Sequence, residues 1–291
     1  MTNRTKIFFI KLIPIGKIKH RLLSRVYKHQ EIDSSLLNEN KEEIIQTPIQ
    51  QDTQEPIQPA VATTDPRLQK YQGYIPASNG CEMQQFIDWV KNWSTLEVKN
   101  IFEIGANFAK DAEYLALQFN VMPENVYVFE AHPDICDVIT RIHKFNAYNY
   151  AVYNKNGNVT FNVLPITATN TGLSSILNLT KNEQATKPIT VKSIRMDDFM
   201  NQHRIDNIDF LKLDVEGCNW DVLDGFGNRL KDVNAVHVEA EHENNYKERN
   251  HLFDDIRNIL IANGFEMVFF QRYVSQSDSF WIQKRFLKKR N

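Results

Sequence analysis

Apolar and polar residues follow two alternating patterns from about residue 83 to the end of the chain. Short apolar runs, typical of strands in a buried parallel sheet, are separated by segments with apolar residues at spacings of three and four, typical of amphipathic helices. The runs predict strands at residues 101–104, 126–129, 148–152, 159–164, 189–194, 208–213, 235–238, 265–270 and 279–282. The spaced segments predict helices that begin at Met83 and Met196 and that cover residues 112–119, 133–143, 220–230 and 250–262. This alternation predicts an α/β fold, a Rossmann-like doubly wound sheet that is mostly parallel, with an antiparallel C-terminal edge and helices on both faces.

The first two strands and the helix between them form one nucleotide-binding half of such a sheet, with the ligand expected at the carboxyl ends of the strands. Glu130 ends the second strand and can accept hydrogen bonds from both hydroxyls of a ribose. Glu103 ends the first strand and can receive an ammonium group, and Gly105 in the following turn lets a ligand approach the backbone. A dinucleotide fold normally carries three glycines for a pyrophosphate, whereas this turn carries one. The pattern therefore predicts S-adenosylmethionine, which has a ribose and an amino-acid tail but no phosphate.

Charge and composition divide the chain into three parts. Residues 1–30 hold eight basic residues and no acid, which leaves 26 basic and 36 acidic residues for the rest. We interpret residues 1–37 as a basic amphipathic segment and residues 38–66, rich in Gln, Thr, Pro and Glu, as a disordered linker. Residues 67–291 are then the catalytic domain. The acidic balance of that domain argues against a nucleic-acid groove.

The basic segment and the cysteines give indications of where in the cell the protein is found. Residues 17–28 place apolar side chains on one helical face with Lys and Arg around them, so residues 1–28 either contact an anionic membrane surface or pack as an arm or solvated helix. No stretch has the roughly 20 apolar residues needed to cross a bilayer. Three scattered cysteines favour a reducing compartment. We expect a cytoplasmic protein, with peripheral contact at the inner face of the membrane as the open alternative; the oligomeric state is not predicted.

Five ionisable side chains follow two of the predicted strands and are candidates for acid–base chemistry: Asp214, Glu216, Glu239, Glu241 and His242. If these strands neighbour the first one, all five lie at one cleft, where an acid or the histidine can take the proton of an attacking hydroxyl. A helix cap or a structural hydrogen bond is the alternative role for each. No ligand set has the spacing of a metal site, so no metal is predicted. The hydroxyls and amides of residues 165–188 either bind a polyol or belong to a solvated loop.

Six segments resemble the FkbM-type methyltransferases, a family within the class I S-adenosylmethionine-dependent enzymes. They are FEIGAN (102–107), VYVFEAHP (126–133), AVYNKNG (151–157), LSSI (173–176), VKSIRMDDF (191–199) and IDFLKLDVEGCNWDVLDGF (208–226). The last is the most specific. The chain departs from the usual family pattern at Phe108 and at Ala131-His132, and residues 1–66 fall outside the resemblance.

The resemblance implies O-methylation, commonly of sugars or glycosylated natural products, on a Rossmann-like sheet. Glu103, Gly105 and Asn107 then resemble the site for the methionine end of the cofactor, and Glu130 the ribose ligand. Positions that resemble the wall beside the adenine are Ala131, Ala151 and Val152. Asp214 and Glu216 resemble the family's functional acids near the reacting centre, and Asp214 also borders the cofactor.

Three functions are compared. The first is an O-methyltransferase for a hydroxyl of a saccharide or glycoconjugate in surface polysaccharide biosynthesis. The second is a non-catalytic Rossmann-like module that partners a glycosyltransferase. The third is a nicotinamide-dependent oxidoreductase, which the single-glycine turn disfavours. The identity of the acceptor and the methylated position are not contained in the sequence.

Overall fold

A computed structural model describes residues 81–289, except 167, 169, 181–185 and 249–250. The predictions for the basic segment and the linker therefore lie outside the described residues.

The core of the fold is a seven-stranded sheet with the order β3-β2-β1-β7-β8-β10-β9. Its strands are β1 (Ile101–Ile104), β2 (Val126–Phe129), β3 (Asn146–Tyr148), β7 (Ile208–Leu213), β8 (Val233–Glu241), β9 (Phe265–Arg272) and β10 (Gln276–Gln283). The first five are parallel, whereas β10 runs antiparallel to both of its neighbours. Every residue of β1 and β7 is buried, because both strands lie in the middle of the sheet and are covered on both sides. The predicted mostly parallel sheet with an antiparallel C-terminal edge is confirmed.

Helices cover both faces of this sheet. They are α1 (Cys81–Trp93), α2 (Lys110–Phe119), α3 (Pro133–Ile142), α4 (Met196–His203), α5 (Asn219–Asp224) and α6 (Phe253–Ala262). Helices α1, α2 and α3 pack against one face and share a core with Phe210 and Phe280, while α4, α5 and α6 pack against the other, with Leu211 and Trp281. Successive strand residues thus enter opposite cores, as the two-residue period of a strand requires.

The part of the chain between β3 and β7 forms a second sheet of three strands, which has its own small core. It has the order β4-β6-β5, formed by β4 (Ala151–Val152), β5 (Gly157–Val163) and β6 (Lys187–Ile194). Its buried members include Val159, Phe161 and Val191. This sheet places Ala151, Val152 and Phe161 near the carboxyl edge of the main sheet.

Three element predictions are wrong in detail. Residues 148–152 do not form one strand, because the chain turns where Tyr150 N donates to Tyr148 O (3.0 Å) and divides the segment between β3 and β4. The helix expected over 220–230 is α5 followed by a 3-10 helix, Gly227–Asp232. Apolar spacing in the sequence predicts Phe86, Ile87, Val90 and Trp93 as the buried side of α1; the first three are buried, whereas Trp93 is 65% exposed. Within the described ranges, no helix is long and apolar enough to cross a membrane.

Candidate active site

A cavity of about 310 Å³ opens at the carboxyl ends of β1, β2, β7 and β8. Its volume falls within the range of small-molecule sites. Side chains and backbone from the strand ends, from the second sheet and from residues 170–176 form its wall: Gly105, Ala106, Asn107, Lys110, Asp111, Glu130, Ala131, Ile135, Tyr150, Ala151, Val152, Phe161, Asn170, Thr171, Gly172, Leu173, Ser174, Ile176, Lys212, Asp214, Val215, Glu216, Cys218, Glu239 and Gln276. Most of the residues predicted from the sequence thus border one space.

The turn after β1 is held close to the end of β7. Gly105 has a φ of +79°, and a Cβ at this position would lie 1.8 Å from the carbonyl oxygen of Asp214. Asn107 also has a positive φ, of 47°. Glycine at position 105 is required by the backbone of the neighbouring strand as well as by the dihedral angle. The turn therefore fixes the floor of the cavity next to Asp214.

Glu130 connects two parts of the cavity wall through backbone amides. Its Oε2 accepts a hydrogen bond from Asn107 N and its Oε1 one from His132 N, both at 2.7 Å. Burial raises the pKa of Glu130 to about 7, and the two amide hydrogen bonds act in the opposite direction. Each carboxylate oxygen retains a second lone pair, so the group can accept two further hydrogen bonds from a ligand. The imidazole of His132 turns away to Leu164 O (3.0 Å), so only its backbone serves this site.

The wall beside Glu130 is apolar. Ala131, Ala151 and Val152 all border the cavity, where the sequence resemblance expects the adenine. Ile135 and Phe161 extend the same surface, and neither was predicted from the sequence. An apolar wall next to a hydrogen-bonding carboxylate suits a nucleoside.

Lys212 forms what we call the lysine cluster, together with Glu103, Asp111 and Asp214. Its buried ammonium lies 3.2 Å from Asp111 Oδ2, 3.3 Å from Asp214 Oδ2 and 3.6 Å from Glu103 Oε1. Burial alone would lower the pKa of Lys212, but the three acids together hold it well above its ordinary value. One ammonium cannot neutralise three carboxylates, and burial raises the pKa of Glu103 to about 8.

Glu103 does not border the cavity, although the sequence suggested it as a ligand for the cofactor's ammonium group. Its Oε2 accepts from Ala112 N at 2.9 Å, and its other oxygen faces the ammonium of Lys212. The chain thus supplies its own ammonium group to this acid. Asp111 and Asp214 do border the cavity and present the outer side of the lysine cluster to it.

Three acids at the ends of β7 and β8 stand together on the cavity wall: Asp214, Glu216 and Glu239. The charge of Asp214, followed by burial, raises the pKa of Glu239 to about 9. Burial, then the charges of Asp214 and Glu241, raise the pKa of Glu216 well above its ordinary value. Mutual repulsion and burial therefore favour protons on part of this group. Within the described residues, no group of three His, Cys, Asp or Glu side chains is arranged to hold a metal ion.

Glu241 and His242 do not border the cavity. Glu241 is 3% exposed and contacts Glu216 only through Tyr246, whose hydroxyl oxygen lies 3.3 Å from Glu216 Oε2 and 3.3 Å from Glu241 Oε1. We call these three residues the tyrosine triad. His242 packs against the rings of Phe253 and Phe270, and burial lowers its pKa. The structure therefore separates the histidine from the acids with which it was grouped.

Residues 170–176 form one side of the cavity. Thr171 is buried and donates to Asn107 Oδ1 at 3.3 Å, and the hydroxyl of Ser175 donates to Glu216 O at 2.7 Å. A 3-10 helix, Thr171–Leu173, keeps the backbone close to both contacts. The segment is tied to β5 by Asn162 N, which donates to Ser175 O at 2.8 Å. Part of the predicted polar loop is thus ordered against the strand-end acids.

Sequence comparison identifies the family. The model of the methyltransferase FkbM domain matches residues 103–267, more than half of the chain. The chain belongs to the FkbM methyltransferase family. The resemblance found in the sequence motifs is thereby confirmed, and the family is one of S-adenosylmethionine-dependent enzymes.

The chain is similar to three methyltransferases of known sequence or structure. The hexuronic acid methyltransferase AglP of Haloferax volcanii is 26% identical over 144 residues, which are 48% of this chain and 54% of that protein. The chain thus spans about half the length of this curated relative. The solved FkbM methyltransferase of Methylobacillus flagellatus is 11% identical over 64% of this chain and 44% of that one, with a TM-score of 0.43. The magnesium protoporphyrin IX methyltransferase ChlM of Synechocystis is 13% identical over 75% and 93%, with a TM-score of 0.37. Neither solved structure bears on the site, and the family assignment rests on the sequence match.

Besides the wall residues Ile135 and Phe161, the sequence analysis missed Lys212 and Tyr246, which contact acids of the site. Lys212 carried a signal, because a lysine within a largely apolar strand at the centre of a sheet must be buried with partners. Tyr246 carried none, because it lies in a polar segment without periodicity, and only the tertiary structure brings it between Glu216 and Glu241.

Proposed function

We propose that this protein is an S-adenosylmethionine-dependent O-methyltransferase that acts on a hydroxyl of a saccharide or glycoconjugate. The observation that carries the proposal is the single cavity that joins Glu130 and an apolar wall to the acids Asp214, Glu216 and Glu239.

The residues present fit the cofactor. Glu130 is fixed by Asn107 N and His132 N and retains acceptor capacity for two ribose hydroxyls. Ala131, Ala151 and Val152 provide the apolar wall for an adenine. At the opposite end, Asp111 and Asp214 present carboxylates to the methionine end.

The charge of the cavity also favours this cofactor. Five acids border it, Asp111, Glu130, Asp214, Glu216 and Glu239, against two lysines, Lys110 and Lys212. S-adenosylmethionine carries a sulfonium and a net positive charge, whereas a nicotinamide dinucleotide carries a negatively charged pyrophosphate. An acid-rich site stabilises the first and repels the second.

When bound, S-adenosylmethionine supplies a methyl group attached to a positively charged sulfur. The acids of the cavity orient the acceptor hydroxyl toward that methyl group, and alignment is the larger contribution to the rate. The proton of the acceptor hydroxyl would pass to a carboxylate of this group, and we assign that role to Asp214 or Glu216. A general base of this kind contributes about 10²–10⁴-fold.

The acceptor class is supported by two observations. AglP is named as a hexuronic acid methyltransferase. In the present chain, Asn170, Thr171 and Ser174 border the cavity next to the acids, and hydroxyl and amide groups suit the several hydroxyls of a sugar. Surface polysaccharide biosynthesis is the process that we assign to such an acceptor.

Cofactor titration tests the first half of the proposal. Isothermal titration calorimetry of the full chain is expected to show binding of S-adenosylmethionine and S-adenosylhomocysteine and none of NAD. Binding of NAD alone would support the oxidoreductase, and binding of neither compound would support the non-catalytic module.

Glycan analysis tests the second half. Cells with and without the gene are compared by mass spectrometry of their surface glycans, and the proposal expects the loss of one O-methyl group. Complementation with Asp214→Asn is the matched control and is expected not to restore that group. Unchanged glycan methylation would contradict the proposed acceptor class and leave the cofactor result standing.

We further propose that residues 1–66 hold the enzyme near membrane-bound intermediates and are not needed for the fold. Removal of these residues is expected to leave a domain that binds the cofactor and no longer sediments with anionic vesicles. Loss of cofactor binding, or aggregation, would place the boundary elsewhere.

A further inference from the structure

The phenol of Tyr246 lies between two carboxyl groups but carries only one proton. Its oxygen is 3.3 Å from Glu216 Oε2 and 3.3 Å from Glu241 Oε1. A phenol donates one hydrogen bond, and an ionised carboxylate can only accept. Both contacts are hydrogen bonds only when one of the two carboxyls holds a proton and donates it to the phenol oxygen.

The surroundings of the triad favour such a proton. Tyr246 and Glu241 are each 3% exposed, and Glu216 faces further acids, Asp214 and Glu239. Lys212, whose charge lowers the pKa of Glu216, is already in contact with three carboxyls of the lysine cluster.

Glu241 is in a similar position. Burial raises its pKa most and the charge of Asp214 adds to this, whereas hydrogen bonds from its own backbone, from Tyr246 and from the backbone of Gly217 act in the opposite direction. Its Oε2 has no hydrogen-bond partner among the described residues. Glu241 is buried and Glu216 is partly buried, and two neighbouring acids of this kind without a cation of their own retain a proton between them.

The position of the phenol is fixed by a glycine and by a neighbouring segment. Gly217 has a φ of +87°, and a Cβ there would lie 2.4 Å from Cε2 of Tyr246. The chain around Tyr246 is held by Lys247 N, which donates to Asn178 O at 2.7 Å, and by an isolated bridge to Leu179. The ring therefore packs directly on the backbone that joins Glu216 to α5.

We propose that Glu216, Tyr246 and Glu241 share one proton, and that Tyr246 is a positioning residue through which Glu241 holds this proton while Glu216 faces the acceptor as a carboxylate. This inference rests on the proposed function, because it assigns the acceptor side of the cavity to Glu216.

The transfer within the triad is balanced. The proton on Glu216 Oε2 moves to the phenol oxygen as the phenol proton moves to Glu241 Oε1, so the net charge of the triad does not change. Glu216 Oε1, on the side of Gly172, is then free to receive the proton of the acceptor hydroxyl. A cation in the cavity favours this arrangement, because Glu216 borders the cavity and Glu241 does not.

Carboxyl titration by NMR tests the triad without cofactor or acceptor. The full chain is labelled with ¹³C at the glutamate side-chain carboxyl, and the resonances are assigned with Glu216→Gln and Glu241→Gln. The wild-type pair is expected to retain one proton above pH 7.

Two variants are expected to move the midpoint of Glu216 in opposite directions. Tyr246→Phe removes the donor to ionised Glu216 and raises the midpoint by about one pH unit. Glu241→Gln replaces the shared acid by an amide that always donates to the phenol, which keeps the phenol proton directed at Glu216 and lowers the midpoint by about one pH unit. The acidic limb of the kcat profile is expected to move in the same two directions.

Tyr127→Phe is the matched control, because Tyr127 lies on β2 and packs on Phe102 away from the triad; it is expected to leave the midpoint unchanged. A purely structural role of Tyr246 predicts a lower melting temperature with the midpoint of Glu216 unchanged, and this result would overturn the proposal. Should Tyr246→Phe not fold, the wild-type titration decides, because loss of both protons from Glu216 and Glu241 below pH 7 would overturn the proposal. If both shifts appear but S-adenosylmethionine does not bind, the proposed function fails while the triad stands.

Discussion

The lysine cluster and the tyrosine triad bury similar sets of acids in different ways. In the first, Glu103, Asp111 and Asp214 surround the ammonium of Lys212. In the second, Glu216 and Glu241 have only the neutral phenol of Tyr246 between them. A buried carboxylate is stabilised by an opposite charge, whereas a buried pair without one retains a proton.

The lysine cluster therefore provides a charge that stays in place, whereas the tyrosine triad provides a proton that can move. Asp214 presents a carboxylate whose charge is balanced from behind by Lys212, which suits a permanent partner for a cation. Glu216 belongs to a group whose ionisation changes with its surroundings, which suits a proton acceptor. The comparison predicts that variants of the two regions differ in what they change: stability and charge in one, proton affinity in the other.

Removal of the ammonium is expected to have the largest effect. Lys212→Met leaves three carboxyls buried without a cation and should lower the free energy of unfolding at pH 7 by about 3–5 kcal/mol, the usual cost of breaking a buried ion pair. The folded variant then binds more protons than the unfolded chain, so its stability falls as the pH rises above 4.5, the ordinary value for glutamate, and continues to fall beyond about 8.

Urea unfolding at several pH values measures this effect. Lys192→Met, an exposed residue on β6, is the control and should change little. Equal stability of the two variants would show that the lysine cluster is not held by its charge.

Asp214→Asn is expected to have the next largest effect, because it removes the one carboxylate that belongs to the lysine cluster and also stands with the acceptor-side acids. The turnover number should fall by 10²-fold or more, about 2.7 kcal/mol, while the fold remains and the affinity for the cofactor falls much less. Melting temperature, cofactor affinity and turnover are measured on one preparation, with the exposed Asp206→Asn as control. A lower melting temperature with normal turnover would assign Asp214 a structural role only.

Glu130 is a buried acid that is stabilised in a third way, by hydrogen bonds from backbone amides, and Glu130→Ala tests this. The change removes the acceptor for Asn107 N, His132 N and the ribose, so affinity for S-adenosylmethionine should fall tenfold or more, at least about 1.4 kcal/mol. Glu124→Ala, exposed at the other end of β2, is the control in calorimetry. Unchanged affinity would refute the ribose assignment.

The pH dependence of cofactor affinity is expected to be the smallest effect. The pKa of Glu130 is raised to about 7, and only the ionised group accepts from both ribose hydroxyls. Affinity should therefore rise by about three- to tenfold between pH 6 and pH 8. Glu130→Gln should abolish the rise, and a rise that persists in this variant would assign it to another group.

The sequence was sufficient for features that depend on neighbouring residues. Acids at or near the carboxyl ends of buried strands, Glu130, Asp214 and Glu239, and a glycine with positive φ after β1 all follow from local patterns. Since parallel strands present their carboxyl ends at one edge, these residues had to border a common cleft.

Features that depend on distant partners were beyond the sequence. Glu103 was matched to a ligand because its true partner, Lys212, is far away in the chain and adjacent only through the pairing of β1 with β7. His242 follows Glu241 directly, but its side chain packs on Phe253 and Phe270. Residues 148–152 read as one strand because apolar spacing does not record the turn at Tyr150.

The attachment of residues 170–176 to β5 has a consequence for how this enzyme can diversify. Asn162 and Ser175 exchange backbone hydrogen bonds, and Leu164 N donates to the hydroxyl of Ser174, so the segment is attached to the small sheet along its backbone. Its contacts with the main sheet come from two side chains, Thr171 and Ser175. The close approach of Gly105 to Asp214 leaves the strand ends little freedom to vary. A library that randomises Asn170 and Ser174 therefore changes the proposed acceptor side of the cavity while the turn at Gly105 and the contact of Thr171 with Asn107 are kept.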